Sequence, residues 1–146
     1  MIYQLIAAMI GTVAFSVLFG VPRKYYLYCG LIGGAGWAIY SGALCVFGPA
    51  ESSLIATMVV ILLSRFAAIW KSCPVTVFLI SGIFPLVPGA GVYWTAYYIV
   101  TDQLRLAAQT GYQAAKCAVA IVLGIVFVFE LPQNLFLSIL MKRKKI

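Results

Sequence analysis

The sequence predicts an all-α integral membrane protein with about five transmembrane helices, the fourth of which is broken near its middle. Of the 146 residues, 64% are hydrophobic and only 9% are charged, whereas soluble domains carry about 25% charged residues. The apolar residues fall into stretches of roughly 20, which is the length that crosses a hydrocarbon core. No stretch between them is long enough for a soluble domain, so we expect residues 1–146 to form a single transmembrane domain.

The net charge of +7 is explained by membrane topology. Nucleic-acid-binding domains usually gather their cations on one face or along one helix. Here the cations stand in short clusters between apolar runs and at the C-terminus. We therefore expect the lipid bilayer, and no nucleic acid, as a partner.

The first helix is predicted over Ile2–Phe19. This stretch lacks the positively charged leader of a secretory signal, so we interpret it as a retained span. Gly20-Val21-Pro22 ends it, and the basic pair Arg23-Lys24 follows in a tight turn. The second helix is predicted over Tyr26–Phe47.

Small residues recur at four-residue spacing along the second helix. They are Gly30, Gly34, Ala38 and Gly42. Residues four apart lie on one face of a helix, and a ridge of small residues lets another backbone approach closely. We expect a helix-packing ridge here; the alternative is that the ridge lines a pore.

The third helix is predicted over about Ser53–Trp70. Before it, Ser52 or Ser53 is expected to cap the helix, while Glu51 complements its dipole. Arg65 lies within the span. A charge at such a position is a candidate substrate-binding residue. The alternative is that Arg65, six residues before Lys71, extends toward the nearer headgroups.

The fourth helix is predicted as two half-helices, about Val75–Phe84 and Val92–Val100, around the cassette Pro85-Leu86-Val87-Pro88-Gly89-Ala90-Gly91. Proline removes a helix hydrogen bond and glycine tolerates unwound backbone. Unwound backbone at membrane depth is tolerated where other helices bury it or where it lines a cavity.

The cassette is therefore the predicted substrate site, shaped by Pro85, Pro88, Gly89 and Gly91. The N-terminus of a half-helix beginning near Val92 would present the positive end of its dipole, for which a carboxylate is the natural ligand. The alternative is a kink needed only for packing.

Four aromatic residues crowd the second half of the broken helix: Tyr93, Trp94, Tyr97 and Tyr98. An aromatic belt at the membrane interface explains them. The alternative is a ligand-facing role, for which Tyr93, next to the break, is the best candidate. The fifth helix is predicted over about Tyr112–Leu131, after the less uniform stretch Leu104–Gly111, and a short amphipathic tail, Gln133–Ile146, follows Pro132.

The distribution of Lys and Arg predicts the N-terminus outside and the C-terminus in the cytoplasm. This orientation places on the cytoplasmic side Arg23-Lys24, Arg65, Lys71 and the tail Lys142-Arg143-Lys144-Lys145. It requires the broken helix to cross the membrane once. A re-entrant hairpin would instead leave the tail outside.

The sequence offers few of the residues that catalysis uses, so we do not expect an enzyme. The four cysteines are scattered without metal-ligand spacing and there is no histidine, so neither a metal site nor a cofactor is predicted. The three acidic residues are Glu51, Asp102 and Glu130, all near predicted helix ends. Asp102 and Glu130 are weak candidates for carrying a coupled proton, against the simpler interpretation of solvated or dipole-complementing charges.

Several motifs resemble the threonine/serine exporter (ThrE-type) superfamily, and within it the YjjB-like small subunit. They are Phe19-Gly20-Val21-Pro22-Arg23, Cys29–Gly34 with Trp37, Cys73–Phe78, and Gly82-Ile83-Phe84-Pro85-Leu86-Val87-Pro88-Gly89. The last is the most specific, and the fifth helix and the tail carry no such motif. The resemblance implies secondary export from the bacterial inner membrane.

The implied substrates are threonine and serine in fused, two-repeat members, and succinate-type dicarboxylates in members in which a small subunit works with a larger YjjP-like one. Because this chain supplies one five-helix half, we expect a YjjP-like second subunit or self-association. The alternative function is a non-transporting membrane assembly subunit, in which the ridge binds a partner and the break is structural.

Overall fold

The computed structural model describes residues 2–131, which contain helices and no strands. The six α-helices are α1 (Ile2–Leu18), α2 (Tyr26–Ala43), α3 (Pro49–Lys71), α4 (Thr76–Ile83), α5 (Gly89–Val100) and α6 (Leu104–Phe129). Two short 3₁₀ turns, Arg23–Tyr25 and Phe84–Leu86, precede α2 and follow α4. The predicted all-α class is therefore confirmed. The predicted tail, Gln133–Ile146, lies outside the described residues.

Two predicted helix starts were wrong. The stretch Leu104–Gly111 is the first part of α6 and not a separate segment, because its Leu, Ala and Gln residues favour helix. α3 begins at Pro49 after Gly48, and neither Ser52 nor Ser53 caps it. Proline at the first helical position lacks only an N–H that would be unpaired there, and the Ser53 hydroxyl instead donates to the Pro49 carbonyl at 2.8 Å.

Two helices, α3 and α6, are long and apolar enough to cross a membrane. The pair Thr76–Leu86 and Gly89–Val100, bent by 48°, counts as a third if it is one span. α1 is apolar but has only 17 residues, about 25 Å at 1.5 Å per residue, against a hydrocarbon core of about 30 Å. Residues 2–131 thus contain two or three helical segments that could cross a membrane, and the five predicted spans are not confirmed.

α2 and α3 lie at the centre of the bundle. α2 packs against α1, α3 and α4, and α3 packs against α2, α4 and α6. α5 packs mainly against α6 and buries no residue of its own. The central core contains fully buried Cys29, Ala56, Val60 and Phe78, one or more from each of α2, α3 and α4.

Glycines allow α2 to approach α1 and α3 closely. A Cβ on Gly33 would overlap Oγ1 of Thr12 in α1, and one on Gly36 would lie 2.5 Å from Val60 in α3. Of the predicted ridge, Gly30 and Gly34 contact α1, whereas Ala38 and Gly42 are exposed, and a Cβ on Gly42 would meet nothing within 4 Å. The ridge thus extends beyond the surface that α1 covers.

The charged residues separate toward two ends of the bundle. At one end, which we call the basic end, Arg23 and Lys24 follow α1 and Lys71 closes α3. The opposite end contains the C-terminus of α2, the start of α3 and the α5–α6 turn at Asp102. This arrangement positions the break in α4–α5 between the two ends, beside the middle of the bundle.

Candidate functional site

The backbone between α4 and α5 departs from helical geometry over a few residues. Val87 is extended, with φ −61° and ψ 129°. Pro88 follows with φ −75° and ψ 54°, and the Gly89 N–H donates to the Val87 carbonyl at 2.7 Å. These values describe an inverse γ-turn. Neither Pro85 nor Pro88 has an N–H to donate, so the α-helix gives way to a 3₁₀ turn at Phe84–Leu86 and helical structure ends before Pro88.

α5 begins at Gly89, three residues before the predicted start near Val92. Gly89 and Gly91 therefore lie in the first turn of α5 and not in an unwound linker. Gly91 allows close contact with α6, because a Cβ there would lie 3.0 Å from the Ala114 Cβ. A Cβ on Gly89 would meet nothing within 4 Å, so this residue faces open space.

That open space is a cleft of about 340 Å³ beside the break. At about 30 Å³ per water molecule it has room for a solute of amino-acid size. The lining comes from α2, α3, the break, α5 and α6: Trp37, Tyr40, Pro49, Ser53, residues 85–91, Trp94, Thr110, Gln113, Ala114 and Cys117. The predicted residues Pro85, Pro88, Gly89 and Gly91 are among them.

The N-terminus of α5 is the main electropositive element of the cleft. Among the described residues, no charged side chain lines the cleft. The first turn of α5 has neither an acidic residue nor a side-chain hydrogen bond to its N-terminus. The first amides of a helix have no intrahelical partner and carry the positive end of its dipole. The amides at the start of α5 therefore suit an anionic group.

α3 also begins beside the cleft, but its N-terminus differs electrostatically. Glu51 stands in its first turn, and its Oε2 would lie 2.5 Å from a Cβ on Gly48. The carboxylate thus folds back over the residue that precedes the helix. This position agrees with the prediction that Glu51 complements the α3 dipole.

The cleft contains polar side chains that sequence reasoning missed. Trp37 Nε1 is buried and has no hydrogen-bond partner among the described residues. Thr110 accepts a hydrogen bond from Thr95 at 3.1 Å, which joins α5 to α6, and Gln113 lies one turn farther along α6. Trp37, Thr110 and Gln113 come from helices far apart in sequence, so no local spacing could have identified them together.

Tyr93 does not line the cleft. It lies on α5 with 62% of its surface exposed, and its ring contacts that of Trp94 at a centroid distance of 5.4 Å. Trp94, the next residue, lines the cleft and also stacks on Tyr98. Of the two aromatic residues next to the break, Trp94 and not Tyr93 therefore lines the cleft.

Arg65 lies away from the cleft, at the C-terminal end of α6. Its side chain is only 5% exposed. Nη1 donates to the carbonyls of Val128 and Leu131, and Nη2 donates to that of Leu131 at 3.1 Å. The last carbonyls of a helix lack intrahelical partners and attract a cation. Arg65 is therefore not among the residues that line the cleft, and its guanidinium is bonded to the end of α6.

Asp102 and Glu130 do not line the cleft either. Asp102 is exposed in the turn after α5, with φ +58°. This left-handed conformation is one that Asp adopts more readily than most residues. Glu130 is exposed directly after α6. Both positions are explained by helix termination.

A sequence model of the family described as "Threonine/Serine exporter, ThrE" matches residues 4–130. The match covers every helix described above, including the break and the whole of α6. No curated protein and no solved structure matches the chain significantly.

Proposed function

This chain belongs to the threonine/serine exporter family, and we propose that it is a membrane subunit of a secondary exporter of small carboxylate-bearing metabolites. The candidate substrates are threonine and serine, or succinate-type dicarboxylates. All of them carry a carboxylate and are small enough for the cleft of about 340 Å³. Members of this family are transporters and not enzymes.

One observation carries the proposal: the uncapped N-terminus of α5 borders the cleft. A carboxylate there would accept hydrogen bonds from the amides of Ala90 and Gly91, since the Gly89 amide already donates to Val87. The rings of Trp37 and Trp94 would cover the apolar part of the solute. Broken helices in transporters present such half-helix ends to anionic substrate groups.

The break also provides a point at which the angle between α4 and α5 can change. α5 packs mainly against α6, whereas α4 packs into the centre of the bundle. A change of angle at Val87–Gly89 would move α5 across α6, which stays packed against α3, and would open or close the cleft. Rocking of one bundle against another around a fixed site is the usual basis of alternating access.

We place the chain in the bacterial inner membrane, with its N-terminus outside and its C-terminus in the cytoplasm. The basic end then faces the cytoplasm, as the distribution of Lys and Arg favours. A YjjP-like second subunit, or further copies of this chain, would complete the transport unit. The exposed outer surface of α5 supports an incomplete assembly, because every residue of that helix is at least partly exposed.

A second candidate function is a non-transporting assembly subunit. Ala38 and Gly42 favour it, since they are exposed small residues beyond the reach of α1. Another helix can approach closely over such residues. In that case the break would serve packing alone.

Efflux from proteoliposomes separates the two functions. The chain, alone and with its partner subunit, is reconstituted with radiolabelled threonine, serine or succinate inside. The double variant Pro88→Ala/Gly89→Ala is expected to reduce efflux at least tenfold, because it extends helix through the break and adds a methyl group beside the cleft. Gly11→Ala in α1 is the matched control, since its Cβ also meets no atom within 4 Å and it does not line the cleft.

Full efflux by the double variant would overturn a transport role for the break. Absence of efflux from the unaltered assembly for all three solutes, with the complex intact, would favour the assembly function. Loss of both efflux and complex formation in the double variant would show that the break is required for folding.

A further inference from the structure

The basic end carries a lysine held between two aromatic rings. Nζ of Lys71, at the end of α3, lies 4.5 Å from the ring centroid of Tyr28 and 4.8 Å from that of Trp70. Tyr28 belongs to the first turn of α2, so this contact joins two elements distant in sequence. Attraction between the ammonium and the ring faces keeps the charge at a defined position.

The same aromatic cluster holds a second cation. Tyr28 and Tyr25 both pack edge-on against the fully buried ring of Phe78, at centroid distances of 6.5 and 5.4 Å. Nζ of Lys24 lies 4.8 Å from the ring centroid of Tyr25. Lys24 and Lys71 are therefore placed around one rigid aromatic platform, and exposed Arg23 precedes Lys24.

The surroundings favour an anionic ligand at the depth of the lipid headgroups. Glu51 and Asp102 lie at the opposite end of the molecule, so Glu130 is the one acidic residue toward this end in the described part of the chain. Trp70 is 64% exposed at the rim of the platform. Tyrosine and tryptophan rings concentrate where hydrocarbon meets headgroups, and cations there attract anionic lipids.

We propose that this surface, formed by Arg23, Lys24, Tyr28, Trp70 and Lys71, binds the phosphate headgroup of an anionic phospholipid. The rings fix the two ammonium groups, and their N–H donors remain available to phosphate oxygens. Bound lipid would join the α1–α2 turn to the end of α3. The proposal depends on the basic end alone and is independent of the transport function.

Binding of short-chain phosphatidylglycerol to the full chain in detergent micelles tests the proposal, with phosphatidylcholine of the same chain length as the neutral comparison. Thermophoresis gives the apparent Kd. Each lysine is expected to lower the apparent Kd about fivefold, which corresponds to about 1 kcal/mol per basic residue at an anionic surface. Lys24→Gln/Lys71→Gln should weaken phosphatidylglycerol binding roughly thirtyfold, while Lys71→Arg should retain it.

Arg105→Gln/Lys116→Gln is the matched control, because it removes two positive charges from α6, away from the basic end. Equal loss in both double variants would show that net charge alone is responsible and would overturn the proposal. Equal affinity for the two lipids would also overturn it. Full competition by inorganic phosphate at equal concentration would identify free phosphate, and not a lipid, as the ligand. Circular dichroism of each variant confirms that the helices are intact.

Discussion

At the scale of single residues, Arg65 and Trp37 show how polar groups are accommodated in an apolar bundle. The Arg65 guanidinium is buried but donates to carbonyls at the end of α6, so its charge and the helix end satisfy each other. Trp37 Nε1 is buried without a partner in the described chain and lies in the wall of the cleft. A buried donor left without a partner costs stability.

Replacement of Arg65 by leucine should destabilise the protein. The carbonyls of Val128 and Leu131 would lose a charged donor in a buried position, at a cost of about 1–3 kcal/mol. Arg65→Lys should recover part of this loss, because an ammonium can still reach one carbonyl. The free energy of unfolding in mixed detergent micelles measures both effects.

Arg105→Leu is the control for that series, since Arg105 is exposed near the start of α6. If Arg65→Leu changes the free energy of unfolding no more than Arg105→Leu does, the role assigned to Arg65 is contradicted.

At the scale of helices, the two central features are the broken α4–α5 pair and the close α1–α2 contact. The break follows directly from the sequence, because two prolines within four residues cannot both be accommodated in a continuous helix. The start of α5 was harder to predict. Gly89 and Gly91 suggested unwound backbone, yet both adopt helix, and Gly91 allows α6 to pack closely against α5.

Substitution of Gly33 by alanine tests the α1–α2 contact. The added Cβ would overlap the Thr12 side chain, so the helices must move apart, at a cost of about 1–3 kcal/mol. Gly42→Ala should instead be neutral or stabilising, because it meets no neighbour and alanine favours helix by about 1 kcal/mol. Thermal unfolding of both variants in detergent gives the comparison, and equal Tm values for the two would exclude close packing at Gly33.

At the scale of the whole molecule, composition and apolar stretches sufficed to predict an all-α membrane protein with a broken fourth helix. The motifs, above all Gly82–Gly89, indicated the family, and the match over residues 4–130 confirms it. The cleft could not be predicted in full, since Trp37, Ser53 and Gln113 meet only after α2, α3 and α6 pack together. The contacts of Arg65 with the end of α6 could not be predicted for the same reason, because the carbonyls of Val128 and Leu131 lie 63 or more residues away in sequence.

The orientation can be tested with reporter fusions at three positions. With the N-terminus outside and one crossing by the broken pair, alkaline phosphatase fused after Phe47 or Asp102 should be active. Green fluorescent protein fused after Ile146 should fluoresce. Inactive phosphatase after Asp102 and a dark C-terminal fusion would together indicate a re-entrant hairpin and contradict the proposed topology.

The most direct test of the central claim is protection of the cleft by a carboxylate solute. Ala90→Cys, in a variant lacking the four native cysteines, places a thiol at the start of α5, and Ala38→Cys provides an exposed control outside the cleft. We predict that threonine, serine or succinate slows maleimide labelling at position 90 several-fold, that neutral succinamide does not, and that labelling at position 38 is unaffected. Equal labelling of position 90 with and without all three solutes would contradict the claim that α5 presents a carboxylate site.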